Sequence, residues 1–254
     1  MKLTILAIIV ILSQVSWINL AKAANPAAIR RLLETNECSG CDLRKANLSN
    51  ANLIGADLEG ANLQGANLSG ANLAVSILSD ANLSNANLSR ATINDADLRG
   101  ANLTDAYLSH ANLSRAYLTE ANLENANLFE ANLIESLASG ANLSNANLRK
   151  SSWFRANLEN ANLGESDLFN ANMHQANLKN TDFSNANLTQ AKLMETNITL
   201  ANLNGANLEG VNLRGTTIGL SVCLITNYIG CAPQKVIPEA VSYTHLRAHE
   251  TLTD

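Results

Sequence analysis

Four cysteines form the one residue pattern in this chain with a spacing suited to covalent chemistry. Cys38-Ser39-Gly40-Cys41 has the C-x-x-C spacing of a dithiol redox centre, and Cys223 and Cys231 form a second close pair. A redox centre of that type sits in a βαβ frame, which the surrounding sequence lacks, and Asp42 stands where a c-type haem motif needs histidine. The first pair therefore reads as a structural staple, with a redox module as the second reading. His110 and His174 are isolated and read as surface residues rather than bases. No Gly-rich phosphate loop, nucleophile elbow or metal-ligand spacing occurs, so the expected catalytic, cofactor-binding and metal residues are none. Asn-Leu-Ser triplets such as 47–49 match a glycosylation acceptor, but they follow trivially from the repetition described next.

The elements that hold these residues come from a five-residue period. Centred on the Leu of each Ala-Asn-Leu, it runs from Leu43 to Ile218 as 36 units without insertion or deletion. The residue two before each centre is Ala or a small substitute such as Ser76, Ser136, Ser166, Thr181, Thr196 or Val211. Five matches neither the 3.6 of a helix nor a continuous strand alternation. It does match a short extended piece followed by a corner, with the centre and the residue two before it on one inward face. Four such sides close a square coil of 20 residues. Nine coils would stand roughly 43 Å tall at about 4.8 Å per coil.

The A-(D/N)-L-x-x units over residues 41–220 resemble the pentapeptide-repeat family. The resemblance implies an all-β fold, a right-handed quadrilateral β-helix of about nine coils. Its chemistry suits the sequence: Ala is small where the walls approach, stacked Leu fills the middle, and Asn can bond local backbone at the turns or the Asn one coil away. No Pro falls inside the repeat to remove a ladder donor, since the three prolines are at 26, 233 and 238.

Two core slots depart from the pattern. Trp153 occupies one and Ala138, three units earlier, leaves another almost empty. Either the indole leans into the volume that Ala138 vacates, or the chain slips locally, turning Leu137 inward and Trp153 outward.

The ends divide the remaining chain. Residues 1–23 read as a secretory signal: Lys2, an apolar run from Leu3 to Leu12, then Ala21-Lys22-Ala23 as a cleavage site, with an uncleaved anchor as the alternative. Removal of that segment takes Lys2 and Lys22 with it and moves the net charge from −5 to −7. Residues 24–40 supply the Cys motif and a short capping helix, with Asn25 as N-cap, Pro26 at the first helical position, and Ile29, Leu32 and Leu33 on one face. Residues 221–238 are apolar, leave the repeat register and are expected to close the last coil. Residues 239–254 read as a translated adapter sequence or a disordered tail, and under either reading His245 and His249 carry no function. A rod of the expected height separates the two cysteine pairs far beyond the 7 Å or so that a bridge spans, which leaves Cys38–Cys41 and Cys223–Cys231 within one chain. The short helix and Cys-x-x-Cys-Asp-Leu leading into the repeats resemble exported pentapeptide-repeat proteins of cyanobacterial type. That implies a periplasmic location, or the thylakoid lumen if the source is photosynthetic, with no membrane contact after signal removal.

The repeats carry 17 acids against 11 bases, which excludes the basic face that nucleic-acid binding requires. Folding the sequence by 20 and reading the residue after each centre gathers Phe129, Ile134, Phe154, Phe169 and Met194 near one edge. These form a candidate contact surface, with scattered surface hydrophobes as the plain alternative. The expected function is a non-catalytic structural or protein-binding rod that meets an unidentified protein partner or a second copy of itself. The resemblance also implies an alternative: some family members mimic duplex DNA and protect DNA gyrase. That role wants a cytosolic dimer with continuous acidic faces.

Overall fold

The structure is a computed structural model that describes residues 25–218 and the backbone of 235–236. Parallel bridges join residues twenty apart in an unbroken series from Glu37↔Asp57 to Asn197↔Thr217, so four five-residue sides make each turn of the coil. One unit, Ala61 to Gly65, accounts for all of its backbone donors. The N–H of Ala61 closes the preceding corner on the Leu58 carbonyl at 3.0 Å, that of Asn62 reaches down to Cys41 at 2.8 Å, and that of Leu63 reaches up to Asn82 at 2.7 Å. The Gly65 N–H donates to Ser84 at 2.9 Å. The remaining donor, the Gln64 N–H, meets the Asn62 side-chain Oδ1 at 3.2 Å. Asn or Asp therefore precedes most centres because its carbonyl or carboxylate oxygen satisfies the single N–H that the coil cannot. The same residues also bond between coils, as where the Asn142 amide donates to the Asn122 Oδ1 at 3.0 Å.

The corners are type II turns: the second residue after each centre has positive φ, and the centre's carbonyl accepts from the N–H three later at nearly every corner, the Leu193 carbonyl taking the Thr196 and Thr216 hydroxyls instead. Gly, Asn and Asp tolerate that conformation, whereas Val75 holds φ 53 with a β-branched side chain that is 53% exposed. Val75→Gly is expected to raise unfolding stability by about 1 kcal/mol, because it relieves left-handed strain and gives up little buried surface. Urea denaturation checks this, and an unchanged or lower midpoint would speak against strain at the corner.

Side chains at the centres and two before them fill one continuous core from Ala28 to Val211. Trp153 and Ala138 are both fully buried and in register, while Leu137 is 40% exposed. The chain therefore does not slip at this point. The Trp153 Nε1 donates to the Ser151 hydroxyl at 2.9 Å, and that hydroxyl donates to the Leu148 carbonyl at 2.6 Å. The hydroxyls of Ser76, Ser166 and Thr196 bond carbonyls in the same way, whereas the buried Ser136 hydroxyl, beside Ala138 in the chain, has no partner.

Helix α1, Pro26–Thr35, stands at the first coil. The Asn25 side chain accepts from the Ala27 and Ala28 N–H groups at 3.0 and 3.4 Å, and Asn36 ends the helix in the left-handed region. Two expectations are corrected at this end. Ala28 and Leu32 are the buried pair, with Ile29 partly covered, whereas Leu33 is 54% exposed. In so short a helix the line from Ala28 to Leu32 faces the core, which turns Leu33 past its edge. The coil also begins earlier than residue 41: Glu37 already bridges Asp57, and Cys38 fills a core centre. At the far end strand β1, Thr217–Ile218, bridges Asn197 in parallel and pairs antiparallel with strand β2, Lys235–Val236. An antiparallel partner thus covers the last strand edge. The expected signal, Cys223, Cys231, the tail after 238 and most of the 221–238 cap lie outside the described residues. Among the described residues no helix is long and apolar enough to cross a membrane.

Candidate interaction surface

Cys38 and Cys41 are joined by a disulfide, with Cα atoms 5.2 Å apart. The bridge spans the first corner, where the Cys41 N–H also donates to the Cys38 carbonyl at 3.1 Å. Cys38 is fully buried, and its sulfur lies 3.4 Å from the Ala28 carbonyl oxygen beneath α1. Bridged sulfur has no proton to donate, so this is packing rather than a hydrogen bond. Closing a loop of four residues stabilises by about 2 kcal/mol on chain-entropy grounds. Replacing both cysteines by serine is therefore expected to speed amide exchange in α1 and the first coil while leaving Leu123 and its neighbours protected. Uniform loss of protection would show that the staple supports the whole rod instead.

The two isolated histidines lie on corners and do not meet. The His110 Nδ1 is 3.4 Å from Glu130 and its ring meets Phe129 edge-on at 5.7 Å. The His174 Nδ1 is 2.9 Å from the Met194 carbonyl, and its ring stacks on Phe154 at 5.5 Å. No cluster of His, Cys, Asp and Glu able to hold a metal occurs among the described residues.

Phe129, Ile134, Phe154, Phe169 and Met194 are half-buried rather than exposed. Phe129 and Phe169 share one corner column with Arg149 between them. Ile134, Phe154 and Met194 share the next, with His174 between. Cations cover the rings: Lys150 over Phe129 at 5.5 Å, Arg149 over Phe169 at 4.5 Å and Arg155 over Phe154 at 4.9 Å. Arg149 also pairs with Asp167 at 2.9 Å, and Arg155 bonds Gln175, which bonds Glu195. These rings act as rungs that tie successive coils together, and they do not form a bare apolar patch.

The exposed apolar residues sit elsewhere. Ile77, Tyr107, Tyr117 and Leu137 occupy the slot before the centre, which is Asn or Asp in most other units, and each is at least 40% exposed. Three of them stand in one column on one face, in the bridged order Ile77, Asp97, Tyr117, Leu137. Val75 and Ile54 lie exposed on the corner leading into that face. Asp97 in the same column holds Arg99 through two bonds of 2.8 and 2.5 Å. On the leading corner Arg115 grips Asp95 at 2.7 and 2.8 Å, which with the Asn94 amide holds that carboxyl down to about 2. Residues at these four slots have no side-chain oxygen placed to accept the next N–H but one, so each gives up the local bond that Asn62 makes. The signal was present in the sequence, in the residue before each centre rather than the one after it.

The family description Pentapeptide repeats matches in eight copies, over residues 37–74, 66–105, 96–133, 126–152, 154–185 and 176–215. The chain belongs to the pentapeptide repeat family. Its coil is accordingly that family's right-handed quadrilateral β-helix. HetL, a pentapeptide repeat protein involved in heterocyst differentiation regulation from the cyanobacterium Nostoc sp. strain PCC 7120, is 33% identical, covering 76% of this chain and 97% of its own, with a TM-score of 0.61. QnrB1, a plasmid-mediated fluoroquinolone resistance protein, is 17% identical over 78% of this chain and 96% of its own, with a TM-score of 0.46. A pentapeptide repeat protein from the Arabidopsis thaliana thylakoid lumen is 29% identical over 47% of this chain and 66% of its own, with a TM-score of 0.18. No curated protein matches the chain.

Proposed function

We propose that this pentapeptide repeat protein is a non-catalytic, protein-binding rod of about nine coils that works in an exported compartment, the periplasm or, in a photosynthetic source, the thylakoid lumen. One observation carries the reading: three exposed apolar side chains stand in one column at slots where Asn would have served the fold better. Local choices that run against the fold mark functional surface. The Cys38–Cys41 bridge supports an oxidising compartment, as does the signal-like segment with Lys2 and the run from Leu3 to Leu12. Ion pairs such as Arg115 with Asp95 and Lys179 with Glu159 set bases among the corner acids, which favours a mixed surface over a continuous acidic one.

Cell fractionation followed by mass measurement of the mature chain tests the proposal. An N-terminus near residue 24 in an exported fraction, with a partner that co-purifies with the native chain and is lost from Tyr117→Asn, is the expected result. A cytosolic chain that keeps residues 1–23 and relieves drug inhibition of DNA gyrase would replace this reading with the gyrase-directed one. The column and corner rings bear no resemblance to a dithiol site, so the redox reading rests on Cys38 and Cys41 alone. It would require a bridge readily reduced by glutathione.

A further inference from the structure

The geometry points to a second copy of this chain as an occupant of the Ile77–Leu137 face, packed antiparallel about a twofold axis that passes between Asp97 and Tyr117. The proposal deepens the protein-binding reading by naming a partner for its surface. The column on this face runs Glu37, Asp57, Ile77, Asp97, Tyr117, Leu137, Asn157 and Asn177, and continues through Asn197 to Thr217. A twofold axis between Asp97 and Tyr117 sets each of the six inner members, Asp57 to Asn157, against a complement on the other copy. Ile77 meets Leu137, Asp97 meets the Tyr117 hydroxyl, Asp57 meets the Asn157 amide, and Glu37 meets the Asn177 amide. Asp57 and Asp97 each face a donor and each aliphatic side chain faces another, while Glu37 at the edge meets an amide already engaged with Asn157 and Glu159.

Neighbouring registers fail. Sliding one copy by one coil sets Asp97 against Leu137 in one direction, and against its own symmetry mate in the other. Sliding by two coils in the first direction brings Tyr117 to Leu137 but leaves Ile77 facing the Asn177 amide. The preferred register overlaps eight coils and leaves the end near Thr217 free.

Two further features fix what kind of dimer this is. A face of eight coils and one short side covers roughly 40 Å by 12 Å, about 500 Å² per chain on ordinary strand spacings, which places the contact among weak, reversible ones. The twofold axis runs along the strands, so each corner meets its own counterpart: Asp95 faces Arg115 of the other copy, and Asp80 faces Gly140, while Arg99 and Arg115 are already held by Asp97 and Asp95.

Tyr117→Asn with Leu137→Asn is a clean probe, because Asn is the ordinary residue at this slot and restores the turn bond. Sedimentation velocity on the full mature chain across the micromolar range should show a monomer–dimer equilibrium. The double variant should weaken it at least about tenfold while unfolding no earlier than the parent, and Tyr107→Asn on the opposite face should leave it unchanged. Mixing chains that carry Ile77→Cys with chains that carry Leu137→Cys should give an oxidised 77–137 peptide pair by mass spectrometry. A monomer throughout, a dimer untouched by the double variant, or self-linking of Tyr117→Cys without any 77–137 product would each overturn the proposal. A monomeric chain would still leave the rod free to bind a different protein on this face, so the two readings fail separately.

Discussion

Trp153→Ala should cost about 3–5 kcal/mol of unfolding stability, the largest loss expected from any single truncation in the core. Trp153 is the bulkiest fully buried side chain, with no solvent route by which the walls could collapse around its absence. The more informative measurement is the cycle with Ala138. Both positions lie in core register on adjoining sides, with Leu158 one coil above Ala138 and one side beyond Trp153. If the indole occupies volume that a Leu at 138 would otherwise fill, Ala138→Leu alone overpacks the site and costs about 1–3 kcal/mol. Trp153→Leu alone leaves a void. Combined, the two changes rebuild the ordinary Leu layer, and their joint cost should fall below the sum of the single costs by at least about 1 kcal/mol. The Ser151 hydroxyl does not confuse the result, because it keeps the Leu148 carbonyl as its own acceptor once the indole N–H is gone. Additivity to within about 0.5 kcal/mol would show that each residue fits its layer independently.

The contrast between what the sequence displays and what it conceals follows from the range of each interaction. The five-residue period is repeated so often that the sides, corners and inward Ala and Leu positions are legible from spacing alone, and Cys38–Cys41 is legible because three residues of separation nearly fix the geometry. Register at the start was harder to see. Asn36-Glu37-Cys38 contains neither Ala nor Leu, yet Cys38 fills a centre because its backbone N–H donates to the carbonyl of Asp57 at 2.7 Å, one coil up the wall. The corner rings misled for a related reason. Phe129, Phe154 and Phe169 look like exposed hydrophobes in a column of letters, but each lies within reach of a cation at the next corner position or the next coil. The Ile77, Tyr117 and Leu137 column was visible in principle, since replacing an Asn there removes the acceptor for a specific N–H. Recognising it requires the knowledge that Asn serves the turn as well as the ladder, and the hydrogen bond from Gln64 to Asn62 supplies that.

The same accounting sets the second large effect, at Asn142. Its N–H donates to the Ala121 carbonyl at 3.0 Å, and its own carbonyl accepts from Leu123 at 2.6 Å. Its side chain accepts from the Ser144 N–H and hydroxyl and from the Asn162 amide, while donating to Asn122. Asn142→Ala keeps the backbone ladder and loses only the side-chain bonds, each worth about 1 kcal/mol net. Asn142→Pro also removes the ladder donor and orphans the Ala121 carbonyl, so it should cost about 3 kcal/mol more. In a stack where each coil touches only its neighbours, that loss stays at one interface. Hydrogen exchange in the proline variant should accordingly open the amides of Leu123 and Leu143 well before those of Leu63 and Phe183, and urea should melt the rod in two steps. An equal fall in protection along the whole rod would mean that coils far from residue 142 are energetically coupled to it, and nearest-neighbour stacking would then be the wrong account of how this β-helix holds together.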